Sequence, residues 1–390
     1  MNPRERFLEL QSALNEHQAL WRPSPFHMRR PDWGDERPAL AEAVLGLDAL
    51  TLEKFADDPA ACRAWLALRL PVAGLLGTLC DLPRLARRAL PPCDAHFGWS
   101  IPGRKREQIE AFAAHGPVAG APLLEWCAGK GHLGRRLALA DRVPVTSLEI
   151  DPALCEEAAR LARRAGVEQT VLCADALDHA ARAGVPNSDV LALHACGELH
   201  RALVRTAAQD GAHGYRIAPC CYARGADDGY RPVSRDASLP LEACDLRLAV
   251  TETVTAPRHV RQRLARDQSW KLGFIALRDA LEGSAVRPFR PVPSRWLAGD
   301  FAGFCAALAQ REGVRLPASV DWLHWQAVGE RRRDEVRRLE LVRHAFRRAL
   351  EMWLVLDLAL GLEEAGFDVR VGSFCARSLT PRNLLVLAQR

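Results

Sequence analysis

Between residues 123 and 219, short apolar runs alternate with longer segments in which apolar side chains recur near every third or fourth position. The runs at 123–126, 143–150, 171–173, 190–194 and 215–219 read as strands, and the segments 133–140 and 152–165 as helices. Strands joined by crossover helices pair in parallel, so the pattern predicts a doubly wound α/β sheet with helices on both faces.

The texture differs on either side. Residues 4–21 and 47–90 carry helical periodicity without strand alternation, and 96–99 with 102–103 read as a linker. After residue 219 the alternation stops. Helices are expected at 258–281, 301–311 and 331–348, the last an arginine-rich helix with a solvated face. A helix at 351–365 and strands at 367–375 and 383–388 then resume the sheet. The expected organisation is a helical N-terminal accessory domain, residues 1–100, and a seven-stranded domain, residues 101–390, with a helical insertion at about 225–340. With the sixth strand parallel and the seventh antiparallel, the loop joining them lies on the ligand edge, which places Arg382 and Asn383 near a substrate mouth.

Composition narrows the class. The 390 residues are 48% hydrophobic and 26% charged, with a mean hydropathy of −0.13, so a globular chain is expected. There is no apolar run of about eighteen residues and no leader-like N-terminus, which predicts a cytoplasmic protein off the membrane. Twelve scattered cysteines fit reduced thiols better than a disulfide framework. The net charge of +5 comes from residues 231–390, with 26 basic against 19 acidic side chains. RNA is the polyanion that this excess suggests, along Arg331, Arg332 and Arg333, whereas no DNA partner is expected. Only four of the 53 basic residues are lysine, so arginine abundance alone follows overall composition and does not identify a nucleic acid.

Gly129-Lys130-Gly131-His132-Leu133-Gly134 opens a helix straight after a strand, a turn that lets backbone approach a ligand and aims helix amides at it. Glu149 ends the next strand about 20 residues later, where a carboxylate accepts ribose hydroxyls. Glu125 enters the same turn and would repel a pyrophosphate but attract an ammonium or sulfonium; Asp175 after the third strand suits an adenine amino group. The acids therefore favour S-adenosylmethionine over NAD, held by Glu125, Cys127, Gly129, Gly131, Glu149 and Asp175.

The segment running from Asp189 through His194 and Cys196, and the segment ending in Cys220, Cys221 and Tyr222, are expected on the carboxyl rim beside the first strand. Asp189, His194, Cys196, Cys220 and Cys221 are thus candidates for catalysis, and Tyr222 for substrate contact. Three readings of the rim stand open. Zinc has suitable ligand types, but adjacent cysteines are poorly placed around one tetrahedral ion, so no metal is expected. A cysteine could be a nucleophile, or the thiols could simply shape a pocket with His194 as base or hydrogen-bond partner.

Cys127-Ala128-Gly129-Lys130-Gly131-His132-Leu133, His194-Ala195-Cys196-Gly197 and Pro219-Cys220-Cys221-Tyr222 together resemble the methyltransferase-like family that includes the rRNA adenine dimethylase domain-containing and glutathione S-transferase C-terminal domain-containing proteins. Arg104-Lys105-Arg106-Glu107 and Ser378-Leu379-Thr380-Pro381-Arg382-Asn383 are similar to further blocks of that family, and the resemblance spans about residues 100–390. More distantly the chain is similar to the tRNA ribose methyltransferases of the acceptor stem, where Tyr222 and Ala223 replace two histidines. The resemblance implies a Rossmann-like class I methyltransferase with S-adenosylmethionine at Glu125, Gly129, Gly131, Glu149 and Asp175. It leaves RNA, protein and small-molecule acceptors open, and a catalytically silent binding protein on the same fold is the non-enzyme alternative.

Overall fold

The computed structural model describes residues 1–99, 101–116, 120–251, 258–283 and 291–390. Seven strands form one sheet: β1 (Leu123–Trp126), β2 (Val145–Glu149), β3 (Gln169–Cys173), β4 (Asp189–Leu193), β5 (Gly214–Ala218), β6 (Asp368–Ser373) and β7 (Leu384–Gln389). Their order is β3-β2-β1-β4-β5-β7-β6; β7 runs antiparallel to both neighbours and the rest are parallel. The predicted α/β class and the parallel sixth strand are both present.

Local chemistry explains the elements that frame the site. Gly131 takes φ 62° and lets the helix His132–Asp141 begin directly after β1. The helix Pro152–Ala165 starts on Asp151, whose carboxylate accepts the Ala153 and Leu154 amides, and stops at the left-handed Gly166. β1 is buried throughout, with Leu123 packing among Leu137, Val145, Leu191 and Leu387.

The chain divides into two compact units. The sheet unit comprises Met1–Glu16, Leu76–Thr255 and Arg347–Arg390. Its helix Arg347–Glu364 is buried along nearly its whole length, and Phe7 of the helix Pro3–Glu16 stacks on Trp353 at 5.2 Å. The chain's first helix therefore belongs with the sheet, which differs from the expected boundary at residue 100. Residues 80–94 also depart from expectation: they are not helical, and Leu85 donates to the Ser373 carbonyl at the β6 edge.

The second unit comprises His17–Leu75 and Ala256–Phe346. It is helical, with Trp270, Phe274, Phe301, Phe304 and Leu308 in one apolar cluster. A Cβ on Gly329 would lie 2.2 Å from the Ser269 carbonyl oxygen, so the helices Arg258–Glu282 and Trp322–His344 pack through close backbone approach. The arginines of Trp322–His344 do not form a solvated face. Arg332 donates to the Pro25 and Met28 carbonyls, Arg338 to Leu47 and Arg343 to Trp21, and Arg337 pairs with Glu53. Of the insertion expected at about 225–340, residues 252–257 and 284–290 lie outside the described residues. No helix of the described residues is long and apolar enough to cross a membrane.

Candidate functional site

The glycine turn after β1 is built for close approach on two sides. Gly129 has φ 59°, and a Cβ there would meet nothing within 4 Å, so this face of the turn is open. Gly131 and Gly134 serve packing instead: a Cβ would come within 2.6 Å of Gln169 Nε2 and of Glu125 Oε2, respectively. Glu149 closes the turn from the end of β2. Its Oε2 accepts the Gly129 amide at 2.7 Å, and its Oε1 accepts the Ile150 and Asp151 amides at 3.0 and 3.1 Å. A carboxylate offers about four acceptor sites, so with three amides bound it retains about one for a hydroxyl donor. Asp175 is partly exposed after β3, with Oδ1 accepting the Leu177 amide.

Cys127 adopts φ 58° in the same turn, and burial followed by the nearby Glu149 charge pushes its thiol up to about 12. It stays a thiol at neutral pH. Glu125 points the other way. It is 4% exposed, its Oε2 accepts the Ser147 hydroxyl at 2.7 Å, and burial pushes it up to about 7 against the lowering contributions of Ser147 and the Gly134 and Leu133 amides. The side chain fastens β1 to the first turn of the following helix, so the expected contact with a cationic ligand, and the argument from pyrophosphate repulsion, do not hold. Strand order separates the two cofactor classes instead, because the dinucleotide sheet runs 3-2-1-4-5-6 without the reversed strand between the fifth and sixth.

On the other side of the rim, the loops after β4 and β5 are stitched together. Gly197 donates to the Cys221 carbonyl at 2.7 Å and Glu198 to that of Arg224 at 2.9 Å. Gly197 has φ 56°, and a Cβ would fall 2.1 Å from the Arg224 carbonyl oxygen, so only glycine fits. The fully buried Arg201 donates to the carbonyls of Tyr222, Arg224 and Gly225 at 3.0, 3.3 and 3.4 Å. The Trp126 indole donates to the Leu199 carbonyl at 3.0 Å, joining the end of β1 to this side.

This scaffold gathers the three expected thiols. Cys196 Sγ lies 3.1 Å from Cys220 Sγ, Cys220 Sγ lies 3.8 Å from Cys221 Sγ, and all three fall within 4.8 Å of one another. Hydrogen bonds from Cys196 and Cys220 draw the Cys221 thiol down, and the same contacts push Cys220 up. His194 sits beside them at φ 68°, its Nε2 2.8 Å from Gln108 Oε1. With that oxygen as acceptor, Nε2 carries the proton and Nδ1 keeps its lone pair. Burial, then Lys105, lowers the imidazole below its ordinary value, so it is neutral at pH 7.

Four expected residues lie elsewhere. Asp189 is the first residue of β4, at the amino end of the strand, where it pairs with the buried Arg216 at 3.6 Å. It is a structural ion pair on the edge away from the rim. Tyr222 is 1% exposed and packs edge-on against His200, inside the fold. Arg382 and Asn383 are 8% and 7% exposed: Arg382 pairs with Glu351 at 3.3 Å, and Asn383 donates to the Cys375 carbonyl at 2.9 Å. They anchor the β6–β7 loop because the buried Arg348–Glu351 pair sits beneath it. A cavity of about 570 Å³ lined by Arg84, Arg87, Glu107, Glu110 and Ser378 includes none of the expected site residues.

Gln108, Gly197 and Arg201 were not singled out from the sequence. Gly197 stood inside a quoted motif, where its need for positive φ was the available signal; the other two have no local signature.

With this geometry in place, comparison with known proteins can be set beside it. Residues 106–227 match a methyltransferase domain. The matched stretch runs from the helix carrying Gln108 to the loop after β5, and so spans both sides of the rim; the sheet is a Rossmann-like, class I methyltransferase fold. No curated protein matches the chain. Among solved structures, an O-methyltransferase family protein from Burkholderia thailandensis is 12% identical, covering 84% of this chain and 70% of that one, with a TM-score of 0.32. Geranyl diphosphate methyltransferase in complex with SAM is 15% identical over 35% of this chain and 63% of that one, TM-score 0.26. TYW2 of P. horikoshii in complex with MeSAdo is 17% identical over 30% of this chain and 43% of that one, TM-score 0.26. The chain thus spans less than half of the TYW2 structure it overlaps.

Proposed function

We propose that this protein is an S-adenosylmethionine-dependent methyltransferase. The observation that carries the reading is the turn in which the open face of Gly129 is closed by the Glu149 carboxylate 2.7 Å from its amide. An adenosine ligand fits there: the cradle admits backbone approach, Glu149 accepts a ribose hydroxyl and Asp175 accepts an adenine amino group. S-adenosylmethionine, when bound, supplies a sulfonium methyl to an acceptor placed in line with it. The protein's own part is alignment, with the β4–β5 side of the rim holding the acceptor and the neutral His194 able to take a proton at Nδ1.

RNA, the acceptor expected from the basic excess, gains no support from the arginine helix, where Arg332 is bound to main-chain carbonyls and Arg333 is half-buried. Incubating the protein with methyl-labelled S-adenosylmethionine and a cell lysate tests the reading. Label is expected in one fraction, RNA, protein or small molecule, and should vanish with Glu149→Ala. Absence of label from all three, with cofactor binding demonstrated, would leave a silent binding protein.

A further inference from the structure

The thiol cluster has a geometry that neither a pocket lining nor a nucleophile requires. Two thiolates on one tetrahedral zinc ion, each at ~2.3 Å, stand ~3.8 Å apart. Cys220 and Cys221 already have that separation, so adjacency in sequence is no obstacle; Cys196 at 3.1 Å needs to open by less than an ångström. Acidic and histidine groups are absent from the cluster among the described residues, which makes it a purely sulfur donor set. Soft thiolates select zinc and other d10 cations over magnesium or calcium.

The scaffold supports the same reading. Gly197, which tolerates no Cβ, and Arg201, which spends three hydrogen bonds on the β5 loop, hold Cys196 and the Cys220–Cys221 pair in register. Rigid placement lowers the ordering cost of binding an ion. A cysteine nucleophile needs one activated thiol, not three in mutual contact. A Cys196–Cys220 disulfide would leave Cys221 without a role and needs an oxidant.

We infer that Cys196, Cys220 and Cys221 form a three-thiolate site for zinc, with the fourth position open to an external ligand at the exposed Cys221 side. Each thiol gives up its proton on binding. The site is independent of the cofactor reading, since it uses no residue of the glycine turn.

The test uses the full chain, purified under reducing conditions without chelator. Elemental analysis should find about one zinc per chain, and cadmium added to the zinc-free protein should give a thiolate charge-transfer band that saturates at about one equivalent. Cys196→Ser and Cys221→Ser should each lose tight binding, whereas Cys244→Ser, an exposed thiol elsewhere, should keep it. Because the titration of the unaltered protein needs no variant, a folding defect cannot mask the answer. No saturable band on the folded protein, or a band unchanged in the Cys196→Ser protein, overturns the proposal.

Discussion

On the β1–β3 side, the rim is faced by backbone and by carboxylates at strand ends: the Gly129 turn, Glu149 and Asp175. On the β4–β5 side it is faced by three thiols and an imidazole, on loops that Gly197 and Arg201 tie together. The first arrangement is local, since a turn and one carboxylate from the next strand complete it. The second exists only when two loops some 25 residues apart and the buried Arg201 meet. The difference predicts that each side can be damaged without the other.

Gly197→Ala should cause the largest change. Its Cβ would overlap the Arg224 carbonyl at positive φ, so a loss of about 3 kcal/mol is expected, seen as a melting temperature lower by roughly 5 °C. If the protein stays folded, adenosine binding should survive while the cadmium band is lost. Simultaneous loss of both would break the comparison.

Glu125→Gln probes the buried strut of the first side. The folded pKa of Glu125, about 7, exceeds its unfolded value, so the folded state holds the proton more tightly. Its favourable contribution is present at low pH and is lost as pH rises through about 7. The variant should match the parent near pH 4.5 and be more stable by up to about 3 kcal/mol at pH 8, measured by denaturant unfolding at each pH. A difference independent of pH would contradict this assignment.

Gln108→Leu removes the acceptor that fixes His194 Nε2. Turnover should fall several-fold, about 1 kcal/mol for one neutral hydrogen bond, with cofactor affinity unchanged in a calorimetric titration. The smallest effect is expected from Arg331→Ala: this exposed side chain should change stability by less than about 0.5 kcal/mol. Arg332→Ala, which breaks contacts with the Pro25 and Met28 carbonyls, should cost more in the same unfolding experiment.

These contrasts explain what the sequence makes legible. The strands, the glycine turn and Glu149 come from patterns within about 30 residues, and they lie where periodicity and turn chemistry put them. Glu125 and Asp189 were misplaced because a carboxylate's role depends on partners that sequence does not display: Ser147 and helix amides for one, Arg216 for the other. Arg332 shows the same limit, since the carbonyls it binds lie some 300 residues earlier. Tyr222, Arg382 and Asn383 carry polar groups that suggested a substrate mouth, yet burial turned them inward.

The central claim is that the Gly129–Glu149 turn holds an adenosine cofactor, and isothermal calorimetry with S-adenosylhomocysteine tests it most directly. One site per chain is predicted, weakened roughly 100-fold, about 3 kcal/mol, in Glu149→Ala through loss of charge-assisted hydrogen bonds. Heat from NADH but none from S-adenosylhomocysteine, or equal affinity in the Glu149→Ala protein, would contradict it.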